Sequence, residues 1–161
     1  MEPTYFFDPW GIHGILHAKR VFFLSLVLAY FNNLIYENVN ILAYASIYHD
    51  IGRTDNGVCT EHGRESFKKI KEYRLVKVNN ENEEILKYIV ENHCISDSLA
   101  FSSLKNYQIE NNDRAILLLK ILKDSDNLDR VRLGDLDISY LRCNYSNKLV
   151  YLANQLLRYI R

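Results

Sequence analysis

An all-α fold is predicted for this chain of 161 residues, on three observations. Apolar residues recur at three-to-four spacing over most of its length. Both prolines, Pro3 and Pro9, precede the first such stretch, so nothing later interrupts a helix. Alternating apolar and polar residues are nearly absent, Arg74 to Val78 being the only short strand candidate. The expected architecture is a compact bundle of about six helices, read as one domain over residues 1–161.

From Ile12, the residues Ile15, Leu16, Phe23, Leu26, Val27, Tyr30 and Phe31 mark the first helix. Val21, Leu24 and Leu28 add a second apolar face, so this helix is buried on more than one side. Its most apolar run, Val21 to Phe31, is far shorter than the roughly 20 residues a membrane span needs. A second helix is expected over about 38–51. The stretch Gly52 to Thr60, with Asp55, Asn56 and Gly57, reads as a loop. Thr60 is the expected N-cap of a helix ending near Tyr73. Further helices follow over 81–94, through Ile85, Leu86, Ile89 and Val90, and over 112–128. The last, from about residue 145 to 161, runs through Leu149, Leu152, Leu156 and Ile160.

Twenty basic residues balance twenty acidic ones, which argues against a non-specific nucleic-acid binder. The N-terminus carries no basic segment followed by an apolar one, so a cytoplasmic location without a leader is expected. Cys59, Cys94 and Cys143 are odd in number and widely spaced, which fits reduced thiols better than disulfides.

The chemistry is concentrated where polar residues interrupt apolar faces. His17 continues the stripe Val21, Leu24 and Leu28, and His49 closes the stripe Leu42 and Ala45. His93 follows Leu86, Ile89 and Val90, and Asp126 ends the stripe Ala115, Leu119 and Leu122. Asp50 directly follows His49. A buried carboxylate is costly unless paired or metal-bound, and imidazoles with carboxylates are ligands for Zn, Mn or Fe. Taken singly, each histidine also fits a hydrogen-bonded core residue, and Asp124, Asp126 and Asp129 a solvated or capping cluster.

Taken in order, three motifs decide between these readings. They are His17-Ala-Lys-Arg-Val21, the doublet in Tyr48-His49-Asp50-Ile51-Gly52-Arg53, and Lys123-Asp124-Ser125-Asp126-Asn127-Leu128-Asp129. Together they resemble the HD-domain metal-dependent phosphohydrolase superfamily over residues 11–142. The resemblance implies a divalent ion (Mn, Fe, Zn, Co or Ni) held by His17, His49, Asp50 and Asp126. Thr60-Glu61-His62-Gly63-Arg64-Glu65-Ser66 and Glu91-Asn92-His93-Cys94 are similar to the segments that carry further histidines in binuclear members. His62 and His93 would then hold a second ion bridged by Asp50, or act as acid and base. The chain departs from that pattern in having Cys94 where many binuclear members have a second histidine. A short gap between Asp50 and His62 and the lack of a Gly-Tyr-Pro signature argue against cyclic-dinucleotide cleavage.

Arg53 is the expected phosphate ligand, since a guanidinium forks onto phosphate oxygens. His13, Arg64 and Arg130 are secondary pocket candidates, His13 as a support for His17. Asp97 is placed to orient a histidine, and Asp129, Arg130 and Arg132 to form an ion-pair network. Specificity is expected in Gly52 to Thr60 and in Cys94 to Tyr107. The reading that results is a phosphohydrolase acting on a small phosphorylated substrate, a nucleotide or similar, with a homo-oligomer possible. The alternatives are a non-catalytic, metal-stabilised nucleotide-sensing module, a two-iron oxidative enzyme and a nuclease.

Overall fold

A computed structural model describes residues 1–78 and 80–160. Among the described residues the regular structure is entirely helical: α1 (Ile15–Phe31), α2 (Tyr36–Tyr48), α3 (His62–Glu72), α4 (Asn80–Asn92), α5 (Asp97–Ser103), α6 (Asn112–Leu128) and α7 (Val150–Tyr159), joined by short 3-10 turns. Helix α1 packs on α2 and α6, and α4 closes the group by packing on both α2 and α6. The seam between them holds Leu24, Leu28, Ile41, Leu42, Leu86, Ile89, Leu118 and Leu119, none with any exposed surface. Burying such a side chain contributes about 1.5–3 kcal/mol. Helix α3 lies against α4, and α7 packs on α1.

Of the two apolar faces expected for α1, the one through Val21, Leu24 and Leu28 is fully buried, with Ile15 and Ala18 beside it, whereas Phe23, Tyr30 and Phe31 of the other are exposed. Asn33, in the left-handed conformation at φ 52°, ends the helix. There the Leu34 amide donates to Ala29 O at 3.0 Å. Helix α6 has the bounds read from the sequence. Its cap is Asn111, whose side chain accepts from the Arg114 amide at 3.0 Å.

Several expectations need correction. The all-α bundle of about six helices is as expected, with seven among the described residues, but α5 is not one of those read from the sequence; it follows Ser96, whose hydroxyl accepts from the Leu99 amide. Only Ala100 of α5 is buried, too little to show as an apolar stripe. Thr60 does not cap α3; Glu61 stands at that place without a side-chain cap. The candidate strand is irregular chain. Its Arg74 sits at φ 52°, and Leu75, Val76 and Val78 instead cover the core. Helices α2 and α4 end before His49 and before His93, so the functional residues follow the helices rather than extending them. The final helix is split into a 3-10 turn at Ser146–Leu149 and α7, and residue 161 lies outside the described residues.

Residues 142–146 are fastened by a buried carboxylate. Asp124 accepts from the Arg142 and Cys143 amides at 2.7–3.0 Å and from the Ser146 hydroxyl at 2.6 Å. That use removes Asp124 from the cluster of histidines.

Candidate metal centre

Helix ends converge at one point of the bundle. His17 lies in the first turn of α1, His49 caps α2 with Asp50 next to it, His62 opens α3, His93 follows α4, and Asp126 is in the last turn of α6. Two glycines permit this approach. A Cβ on Gly52 would meet His62 O at 2.3 Å, and one on Gly63 would meet Val90 O at 2.5 Å. The first contact brings the His49–Asp50 turn onto α3, and the second brings α3 onto the end of α4. Ser66 clasps the same turn, donating to His49 O at 2.5 Å and accepting from the Gly52 amide at 2.8 Å.

The side chains form two groups that share Asp50. In the first, His17 Nε2 lies 3.1 Å from His49 Nε2, 3.3 Å from Asp126 Oδ1 and 3.5 Å from Asp50 Oδ2. In the second, His62 Nε2 lies 2.9 Å from His93 Nε2, and Asp50 Oδ1 is 3.0 and 3.6 Å from those atoms. One carboxylate oxygen therefore serves each group.

Hydrogen bonds at the far side of each ring fix the tautomers. The Nδ1 atoms of His49, His62 and His93 face the carbonyls of Ser46, Cys59 and Val90 at 3.0, 2.8 and 2.7 Å. A carbonyl can only accept, so each Nδ1 carries the proton and each neutral ring presents its lone pair at Nε2. His17 Nδ1 instead faces Asp129 Oδ2 at 2.7 Å. Asp129 is itself held by Arg20 at 2.6 Å and Arg132 at 3.2 Å, with Asp129 and Arg20 buried and Arg132 partly so.

Charge in the cluster is arranged to hold a cation. Burial pushes His49 down to about 3 and also lowers His62, so both are neutral near pH 7. Burial opposes charge on His17 as well, but Asp126, Asp129 and Asp50 outweigh it and raise the imidazole to about 10. Burial would likewise raise the Asp50 and Asp126 carboxyls. His49, His13, His17 and His62 hold Asp50 well below the ordinary carboxylate range, and His17 and His49 hold Asp126 there. Two carboxylates and a set of Nε2 lone pairs thus converge.

The donors fit divalent metal on two observations. Nitrogens bound to one ion at about 2.0–2.1 Å sit about 3.0–3.4 Å apart, close to the 2.9 and 3.1 Å of the two histidine pairs. Asp50 Oδ1 is buried and accepts no aligned hydrogen bond, although Arg53 Nε lies 3.0 Å away. A buried carboxylate oxygen that faces a guanidinium but receives no aligned hydrogen bond is under-satisfied, and a bound cation would complete its partners.

Above these groups opens a cleft of about 370 Å³ lined by His13, Arg53, His62, His93, Asp126 and Arg130 among others. A larger cleft of about 730 Å³ lies at Asn80–Glu84 and Tyr107–Glu110, away from the histidines.

A family model for the HD domain matches residues 14–131, most of the chain. The chain belongs to the HD domain family. This HD domain therefore falls within a superfamily of metal-dependent phosphohydrolases. No curated protein and no solved structure matches the chain.

The HD fold brings His13, His17, His49, Asp50, Arg53, His62, His93, Asp126 and Arg130 to one place. His13 Nδ1 lies 2.8 Å from Asp50 Oδ2, so it touches the carboxylate that His17 also faces. Arg53 Nη1 donates to Gly57 O at 3.0 Å, which holds its guanidinium at the cleft. Arg130 lines the cleft and pairs with Asp135. Arg64 is not brought there; it is exposed on α3, pairs with Glu61 at 3.4 Å and lines a separate cleft. Asp97 orients no histidine. It is paired with Lys123 at 2.7 Å and Arg142 at 2.8 Å, which take up both of its oxygens.

The two segments expected to set specificity line different clefts. Asn56 to Cys59 line the cleft, but beyond Cys94 the stretch to Tyr107 lines a different one. Ile12 and Leu133 take its place at the cleft mouth. Sequence reasoning missed Asp129 as the partner of His17 and Ser66 as the clasp. Asp129 had a signal, lying one helical turn beyond Asp126. Ser66 had one in sharing the His62 face of α3, four residues on.

Proposed function

We propose that this HD domain hydrolyses a phosphate ester of a small molecule, a nucleotide or a similar phosphorylated compound, with two divalent ions. Asp50 carries the proposal, one oxygen facing His17 and His49 and the other facing His62 and His93. His17, His49, Asp50 and Asp126 would hold one ion, and His62, His93 and Asp50 the other. Bound there, the ions supply a nucleophilic hydroxide at neutral pH and neutralise phosphate charge.

The chain's own residues do the rest. Phosphoryl transfer needs position and charge neutralisation more than covalent chemistry. Arg53, tethered through Gly57, presents its guanidinium beside Asp50 and takes phosphate oxygens in the cleft. Arg130 is the second cation on the cleft wall. His13 steadies Asp50 by its Nδ1 contact, and Asp129 steadies His17 in the same way. Ile12, Val58 and Leu133 offer an apolar rim, which suits the non-phosphate part of a substrate.

The test is phosphate release from a panel of nucleoside mono- and diphosphates and a model diester. Chelator-treated protein is assayed before and after addition of Mn2+ or Co2+. Activity that returns with metal and is absent in Asp50→Ala is expected. Equal release by Asp50→Ala would end this reading.

A further inference from the structure

The second group holds one donor that the phosphohydrolase reading leaves unused. The Cys94 thiol lies with His62 and His93 so that Sγ and the two ring nitrogens are all within 4.8 Å of one another. Cys94 lines the same cleft, and its Sγ donates to Thr60 O at 3.2 Å. Beside these three sits Asp50 Oδ1, 4% exposed and without an aligned hydrogen bond, 3.0 Å from His62 Nε2 and 3.6 Å from His93 Nε2. Arg53 Nε also lies 3.0 Å from this oxygen without being aligned to donate, so a buried carboxylate oxygen that receives no hydrogen bond next to two nitrogen lone pairs points to a cation at this spot, independently of the thiol.

We propose that Cys94 is a thiolate ligand of the second ion, completing a two-histidine, one-cysteine and one-aspartate set with His62, His93 and Asp50. The inference rests on the metal-dependent reading above. A sulfur and a nitrogen on one tetrahedral ion lie about 3.6 Å apart. The thiol would reach that distance by turning from its carbonyl partner, at a partly buried position beyond the end of α4. The first group offers only nitrogen and oxygen, so the two positions differ in softness. The second position selects Zn2+ or Co2+ over Mn2+ and Mg2+, while the first accepts Mn2+ as well.

Cobalt reports on this directly, because a sulfur–Co2+ bond adds an intense near-ultraviolet charge-transfer band to the weak visible bands that nitrogen and oxygen ligands give. Co2+ is titrated into chelator-treated wild-type protein, Cys94→Ser, Cys94→His and Cys59→Ser, and the spectrum is read at each addition. The band is expected with the second equivalent in wild type and Cys59→Ser and absent in both Cys94 variants. Cys94→Ser should weaken the second ion beyond the roughly 10–100-fold cost of altering a residue that merely supports a ligand. Cys94→His should retain two ions and shift the second position toward Mn2+, which keeps the test informative should the serine variant fold poorly. Two bound Co2+ ions without the band, or a band that survives in Cys94→Ser, would overturn the thiolate and leave the phosphohydrolase reading in place. Failure of wild type to bind Co2+ at all would overturn both.

Discussion

His62 and His93 point their Nε2 atoms at one another from 2.9 Å while each Nδ1 faces a backbone carbonyl. Two lone pairs at that distance repel unless a proton or a metal ion lies between them. Burial lowers His62, which disfavours the proton. Replacing either ring by Ala is therefore expected to remove the second ion and leave the first. Loss of preorganised charge stabilisation costs on the order of 10²–10³ in kcat. Metal content and kcat measured together check this, and a His93→Ala protein with two ions and full activity would refute it.

Asp129→Asn keeps the shape of the side chain but removes the charge that faces His17, Arg20 and Arg132. Metal affinity should fall about 10–100-fold, as for other residues that orient a ligand. The metal-free protein should also lose about 3–5 kcal/mol, because the buried Arg20 guanidinium loses its partner, as does the partly buried Arg132. Isothermal titration with Mn2+ and urea unfolding of the metal-free form measure the two effects separately.

The raised His17 value sets a pH dependence. Near pH 7 the metal-free protein carries a proton on His17, whereas His49 and His62 are neutral. An ion taking His17 must expel that proton, so its affinity should rise about tenfold per pH unit through the neutral range and level off near pH 10. Without metal the sign reverses. A folded value above the unfolded one stabilises the protein fully below about pH 6.5, and that stability is lost as pH climbs through about 10. Calorimetry of Mn2+ binding in buffers of different ionisation enthalpy counts the proton, and a count of zero at pH 7 would contradict the assignment.

Ser66→Ala removes both hydrogen bonds that clasp the His49–Gly52 turn. Leaving a buried amide and carbonyl unpaired costs about 1–3 kcal/mol each. Lower thermal stability is expected together with weaker binding of both ions, since Asp50 belongs to both groups. Arg53→Lys, by contrast, should leave stability and metal content alone and raise KM about tenfold or more, because an ammonium cannot fork onto phosphate.

Much of this was legible in the sequence because helical periodicity is local. It placed α6 at its observed bounds and put His17, His49, His93 and Asp126 each at one end of an apolar stripe. Which stripe ends meet is a matter of packing, and only the ordered motifs suggested that. Periodicity overran where polar residues continue past a helix, as at His49 and His93. It failed for α5, with one buried residue, and for Arg74 to Val78, where apolar side chains cover the core from irregular backbone. Asp97 and Arg64 were misplaced because a charge beside a motif says nothing about which way it faces; each is held by an ion pair elsewhere.

That Asp50 joins two ions in one centre is tested most directly by elemental analysis of wild-type and Asp50→Ala proteins, each saturated with Mn2+ or Co2+ and freed of excess. Two ions per chain in the wild type and loss of both in Asp50→Ala is the result expected. A wild-type protein that takes up no metal, or an Asp50→Ala protein that keeps its full complement, would contradict it.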